Sequence, residues 1–285
     1  MKQILSLLLF ALLIYSCQSG NKRAYMLEYG NETIADTTAY AMLVNGFEEQ
    51  FATIEAEYDS ARHERKPELE AEFEELEHAM VKAQRQFVRD YPSSYQSLLV
   101  LQEIDWSFEL ASEYRSYLDL LDPALHDSTQ YRELDHLVTR MEGVEVGKPA
   151  PNFSMMDVSG KTVELSEVYR SSKYLLLDFW ASNCGPCRKE NVNIRKAYDR
   201  FHELGFDVLG VSTDTRREHW INAIQMDKLI WTNVCSMEAW NENEVVRMYA
   251  LRQTSQNFLL DASGEIIAKE LRGEELITTL EKLFH

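Results

Sequence analysis

Apolar positions recur at two different spacings along this chain, and the change of spacing divides it. Leu43, Phe47, Phe51, Ile54, Tyr58 and Ala61 step by three or four residues, as do Leu69, Phe73, Leu76, Met80, Ala83 and Phe87. Each set places one apolar stripe along one helix face. Lys66-Pro67 lies between them, where proline ends one helix or starts another. The expectation is an antiparallel helical hairpin packed on itself or on a later helix, with dimerisation through the stripes as the alternative. The glutamates between Glu68 and Glu77 then fall on outward faces. Asp90-Tyr91-Pro92-Ser93-Ser94 reads as a turn whose serines can cap the helix that follows. Leu98 to Leu121 reads as further helix and Asp122-Pro123 as a break. Asp127, with Gln130 three residues on, reads as the cap of a helix running to about Met141.

Gly147, Pro149 and Pro151 give the stretch from Gly143 to Pro151 a linker composition, and after it the spacing changes. Phe153 to Met156 and Thr162 to Leu165 flank a Ser159-Gly160 turn, as in a hairpin. Tyr174 to Phe179 is a nearly continuous apolar run, expected of a strand buried on both faces. Helix follows to about Leu204, then a second buried strand over Phe206 to Thr213, then helix over Glu218 to Met226 with Trp220, Ile221 and Ile224 inward. Strand–helix–strand–helix implies parallel strands. Phe258 to Asp261 and Ile266 to Lys269, joined by Ala262-Ser263-Gly264, form a closing hairpin. Leu276, Ile277, Leu280, Leu283 and Phe284 give a last amphipathic helix. The fold class is α/β with one mixed sheet flanked by helices, preceded by an all-α domain.

Composition narrows the setting. The chain has 285 residues, 45% of them hydrophobic, enough for about two domains with buried cores. Its 47 acidic residues against 29 basic ones leave a net charge of −18, which repels nucleic acid and anionic headgroups. At the N-terminus, Lys2 precedes an apolar run from Ile4 to Ile14. That run is about eleven residues, too short to span a bilayer but right for a signal-peptide core. It ends in Leu13-Ile14-Tyr15-Ser16-Cys17, which resembles the lipobox of bacterial lipoproteins, with Tyr15 bulkier than usual. The resemblance implies cleavage before Cys17 and lipid on it; cleavage elsewhere is the alternative. The expected order is a signal peptide at 1–16, the lipidated Cys17 and a tether at 17–36, a helical domain at 37–142 and an α/β domain at 143–285.

With Cys17 lipidated, three cysteines remain: Cys184, Cys187 and Cys235. An odd count in an exported chain leaves at least one thiol unpaired. Cys184 and Cys187 sit where the first buried strand hands over to a helix. There the first sulfur lies over unpaired backbone N–H groups and the positive end of the helix dipole, both of which favour thiolate. The second sulfur is one turn deeper and close enough to bond the first. Pro186 forfeits only a hydrogen bond that a first-turn residue already lacks. Two other readings stay open. Half of a zinc site would need further ligands, and no second Cys-x-x-Cys or His pair stands at metal spacing. A structural crosslink of so short a loop would stabilise little. Cys235 reads as a buried, inert thiol or an accessory redox group, and His219 as a surface helix residue.

The segment from Asp178 to Glu190 (Asp-Phe-Trp-Ala-Ser-Asn-Cys-Gly-Pro-Cys-Arg-Lys-Glu) resembles the active-site segment of the thioredoxin superfamily, and more narrowly of its TlpA/ResA-like, membrane-anchored branch. Val146 to Phe153, Gly205 to Ser212 and Gly264-Glu265-Ile266 are similar to that branch as well. The resemblance covers roughly residues 140 to 285. The helices upstream resemble those of Bacteroidota lipoproteins carrying such a domain. The resemblance implies a thioredoxin fold and thiol–disulfide oxidoreductase activity. Cys184 would attack, Cys187 would resolve, Asp178 would be a buried acid exchanging a proton with Cys187, and Glu190 would assist protonation. The alternatives are a hydrogen-bonded structural Asp178 and a solvated Glu190. Trp180, Asn183, Gly185, Pro186, Thr254 and Ser255 would contact substrate. The cofactor is then the disulfide itself, with no metal. The partners are disulfide-containing proteins, a membrane thiol–disulfide electron donor and, through Cys17, the membrane of the cell envelope on its periplasmic side.

Three departures bear on this. Asn183 stands where the family carries Trp, and Val192 where it carries a helix-kinking proline. Aligning on Asn257-Phe258-Leu259 puts Ser255 in the place of a cis-proline, and the six prolines end at Pro186. A cis bond before serine costs ~2.5–4 kcal/mol, so a trans bond is expected. The departures motivate an alternative, a non-catalytic binding lipoprotein with a degenerate thioredoxin domain. A peroxidase would need a lone peroxidatic cysteine in a Pro/Thr-lined loop, which the sequence lacks.

Overall fold

Aromatic rings of the first two helices meet in tilted pairs, and those meetings set the direction of the two helices. The computed structural model describes residues 34–104 and 110–285. Cys17, the leader and most of the tether lie outside the described residues. Those described divide into two compact units, 34–104 with 113–135, and 110–112 with 136–285. Among them no helix is long and apolar enough to cross a membrane.

In the first unit, α1 (Ile34–Ser60) and α2 (Lys66–Asp90) form the hairpin that the stripes imply. Phe51 lies against Phe73 at 4.9 Å between ring centroids, and Tyr40 against Phe87 at 5.1 Å, so the start of α1 meets the end of α2. Pro67 sits in the first turn of α2, where its missing N–H costs nothing. Glu68, Glu70, Glu72, Glu74 and Glu75 are exposed, and Arg65 pairs with Glu57, Glu68 and Glu72 at the connection. Ser94 caps α3 (Tyr95–Glu103), its hydroxyl accepting the Gln96 N–H at 3.2 Å. After α4 (Ala111–Leu118), Asp122 caps a short 3-10 turn over Pro123–Leu125. The helix α5 (Thr129–Gly143) is capped by Ser128, not by Asp127. Ser128 Oγ accepts the Tyr131 N–H at 3.1 Å, the reach that a capping side chain has to the third residue of its helix.

The two units divide within α5, and residues 147–150 are not a free linker. Gly147 and Ala150 donate to the carbonyls of Ile266 and Gly264, and Ile266 donates back to Lys148. Backbone groups that pair in this way cannot swing. The hairpin of β1 (Ser154–Met156) and β2 (Thr162–Glu164) follows, then α6 (Leu165–Ser171). The remaining elements are β3 (Tyr174–Trp180), α7 (Gly185–Phe201), β4 (Phe206–Ser212), α8 (Arg217–Asp227), β5 (Thr232–Cys235), α9 (Glu244–Met248), β6 (Gln256–Asp261), β7 (Ile266–Lys269) and α10 (Glu274–Phe284).

Five strands form one sheet in the order β5-β4-β3-β6-β7. β3 runs parallel to β4, and β4 to β5; β6 is antiparallel to β3 and to β7. This is the mixed sheet of the thioredoxin fold. β3 is central and buried on both faces, as its continuous apolar run implies. Leu175, Leu177 and Phe179 point to a core with Tyr249 and Phe258, while Leu176 and Trp180 point to a core with Cys187, Ile194, Phe201 and Trp220. Gly210 of β4 permits a close approach at that second core. A Cβ there would stand 2.4 Å from Asn233 Oδ1 and 3.2 Å from Trp180 Nε1.

Candidate active site

The two cysteines flank the start of α7, directly after β3. Cys184 has extended backbone and is the cap of α7, and its sulfur accepts the Cys187 N–H at 3.2 Å. The two are disulfide-bonded, with Cα atoms 5.3 Å apart. Cys187 is buried at 3% exposure and Cys184 only half-buried, so one sulfur is presented and the other is covered. A sulfur held over first-turn N–H groups gains stabilisation as an anion once the bond is reduced.

The loop between β3 and Cys184 is pinned by a residue that no motif singled out. The buried Asp214 carboxylate accepts from the Ser182 N–H at 2.9 Å, the Ser182 hydroxyl at 2.5 Å and the Ser212 hydroxyl at 2.7 Å. On the other side, Arg188 forks onto Asp227 at 2.8 and 2.5 Å, and Asn191 adds a third bond at 3.0 Å. These bonds tie the first turns of α7 to the end of α8. The Arg188 guanidinium holds the Asp227 carboxyl below the usual carboxylate range. No kink is needed at Val192, which is exposed on a continuous helix.

Asp178 lies on the sheet face of Leu176 and Trp180, the face that packs against Cys187. It pairs in register with Gly210 on one side and Asn257 on the other. Burial, with Glu190 and Glu270 adding to it and Arg272 opposing, pushes its carboxyl up to about 7. A group poised there gives and takes a proton at neutral pH. Glu190 is not a freely solvated helix residue. Its two oxygens accept from the Gly273 N–H at 2.8 Å and from Asn193 Nδ2 at 3.0 Å. Glu270, held above its usual range chiefly by burial, and Arg272 complete the charged surroundings. Both escape the sequence because nothing in their spacing links them to the cysteines.

The expected substrate-contact residues divide. Asn183, Gly185 and Pro186 are exposed around the disulfide. Trp180 is a correction: it is 1% exposed, packed in the core beneath α7, because strand alternation turns it inward with Leu176. Thr254 and Ser255 are half-buried at the same end of the sheet, where the Ser255 N–H donates to the Phe179 carbonyl at 2.8 Å. The Thr254–Ser255 bond is trans, and Ser255 has φ +75°, a left-handed conformation rare for serine. Cys235 is buried; its thiol donates to the Asp214 carbonyl at 3.1 Å, and burial pushes its pKa up, as for an inert thiol. His219 is exposed on α8.

Comparison with known proteins converges on the same region. Residues 146–269 match the AhpC/TSA family. The thiol-disulfide oxidoreductase ResA of Bacillus thuringiensis subsp. konkukian is 28% identical over 144 residues, covering 50% of this chain and 79% of that protein. The ResA of Bacillus subtilis is 25% identical over 126 residues, 44% of this chain and 67% of that protein. Among solved structures, the thioredoxin domain of a thiol-disulfide oxidoreductase from Bacteroides vulgatus is 38% identical. It aligns with 50% of this chain and 99% of its own, at a TM-score of 0.46.

Proposed function

We propose that this chain, whose residues 146–269 match the AhpC/TSA family and which is similar to the thiol-disulfide oxidoreductase ResA, reduces disulfides of exported proteins from a lipid anchor on Cys17, facing the periplasm. The observation that carries the reading is the Cys184 sulfur at the cap of α7, bonded to a covered Cys187 with Asp178 on the same face. In the reduced protein, the Cys184 thiolate attacks one sulfur of a substrate disulfide, and the other sulfur leaves as a thiolate. Cys187 passes its proton to Asp178 and attacks the Cys184 sulfur. The mixed disulfide breaks, the substrate leaves with both thiols, and the Cys184–Cys187 bond forms. A membrane dithiol donor then returns two electrons.

The purified chain with excess dithiothreitol should reduce a model disulfide, and the Cys184→Ser and Cys187→Ser variants should lose that activity. Equal rates for variants and wild type would end the proposal. The anchor is tested separately, by mass spectrometry of the mature N-terminus from membranes; an unacylated Cys17 would remove it. The trans Ser255 favours a second reading, a binding lipoprotein whose cysteines do not cycle. A reduction potential far outside the thioredoxin-like range would select that reading.

A further inference from the structure

The segment after β7 makes contacts that the exchange steps do not use. Glu270 donates its N–H to the Asn257 carbonyl at 3.0 Å, Leu271 donates to Asn257 Oδ1 at 3.0 Å, and Asn257 Nδ2 donates to the Leu271 carbonyl at 2.8 Å. Asn257 is the register partner of Asp178. Gly273 donates to Glu190, as described. Residues 270–273 are thereby stitched both to the strand beside Asp178 and to the helix that carries the cysteines.

Arg272 closes this arrangement. Its Nη2 donates to Glu270 Oε2 at 2.7 Å and also to the Ser255 carbonyl. Ser255 keeps its left-handed backbone with its N–H taken by Phe179 and its carbonyl taken by Arg272. A strained conformation persists when its neighbours fix it from several sides, and here they do. Around Asp178, α7 supplies Cys187 and Glu190, the segment after β7 supplies Glu270 and Arg272, and β4 and β6 supply the uncharged Gly210 and Asn257. Lys269 acts on Glu270. Of the charges that act on Asp178, two are negative and that of Arg272 is positive.

We propose that Arg272 is a positioning residue for thiol exchange: it bridges Glu270 and the Ser255 carbonyl, holding the 254–255 loop against the end of β3 from which the redox pair follows, and it supplies the cation that offsets the carboxylates around Asp178. The proposal rests on the oxidoreductase reading. With the cation in place, ionised Asp178 is available to receive the Cys187 proton near neutral pH. Without it, the same group stays protonated to higher pH, and the loop loses one of its two ties.

The test compares the full-length chain with its Arg272→Lys and Arg272→Gln variants, their folding verified by far-UV circular dichroism. Two pH dependences are read: kcat/KM for reduction of a model disulfide, and the rate at which iodoacetamide alkylates the reduced protein. Arg272→Gln should move both midpoints upward, by about half to one pH unit. Arg272→Lys should leave them in place yet raise KM about threefold or more, because both acceptors are held by Nη2 and a lysine ammonium ends one bond short of that position. Midpoints unmoved in Arg272→Gln, or moved equally in both variants, would overturn the proposal, as would a KM unchanged in both. A wild-type chain that fails to turn over defeats the oxidoreductase reading, while the alkylation profile still decides the role of Arg272.

Discussion

Glu190 and Gly273 are separated by most of the second unit's sequence, yet the Gly273 N–H donates to Glu190 Oε1 at 2.8 Å. This bond holds a carboxylate of the cysteine-bearing helix near Asp178, where its charge raises the Asp178 pKa. Glu190→Gln keeps an acceptor for Gly273 and removes the charge. The pH midpoint of kcat/KM for disulfide reduction should then move down, by a fraction of a unit to about one unit. An upward shift or none would separate Glu190 from the proton step.

The raised Asp178 pKa is also a statement about stability. Its folded value of about 7 lies above the ordinary 3.8, so the folded state holds the proton more tightly than the unfolded chain. The associated stability is fully present below about pH 3.8 and is lost as pH rises through about 7. A shift of that size corresponds to roughly 4 kcal/mol as an upper figure. Asp178→Asn, neutral at every pH, should therefore gain stability over wild type at pH 8 and gain less than half as much at pH 5. Urea denaturation at the two pH values measures the difference. Its disulfide-reducing activity at neutral pH should fall.

Asp214 is expected to matter although it touches neither sulfur. Asp214→Ala leaves the Ser182 N–H and the Ser212 hydroxyl without their acceptor in a buried setting. The expected loss is about 2–4 kcal/mol, read from the urea midpoint. The loop that presents Cys184 should loosen with it, visible as a changed alkylation rate in the reduced protein.

Cys187→Ala leaves the attacking thiol without its resolving partner. Mixed disulfides on Cys184 should accumulate and be separable on non-reducing gels from envelope extracts, naming the substrates. Cys184→Ala should capture none.

The fold was legible where one residue pattern decides one element. The stripes of α1 and α2 gave an antiparallel hairpin because a proline break between two apolar faces lets Phe51 meet Phe73, and the unbroken run of β3 matches a strand buried on both faces. Choices between adjacent polar residues were less legible: Ser128 and Asp127 can both cap, and geometry selects Ser128. β5 was missed because Thr232 to Cys235 is only four residues long and carries no alternation. At the site, the cysteines and Asp178 stood in one contiguous segment. Glu270, Arg272 and Asp214 did not, because their partners are brought to them only by the sheet order. Trp180 was misassigned by its nearness to Cys184 in sequence, whereas the pleat of β3 turns it into the core.

Everything in the proposed exchange requires that the reduced Cys184 sulfur be an anion stabilised at the start of α7. The most direct measurement is the pH dependence of iodoacetamide alkylation at Cys184 in the reduced chain, with the modified site identified by peptide mass spectrometry. The account expects a midpoint well below the ordinary thiol value of about 8.5. A midpoint at or above that value would contradict it.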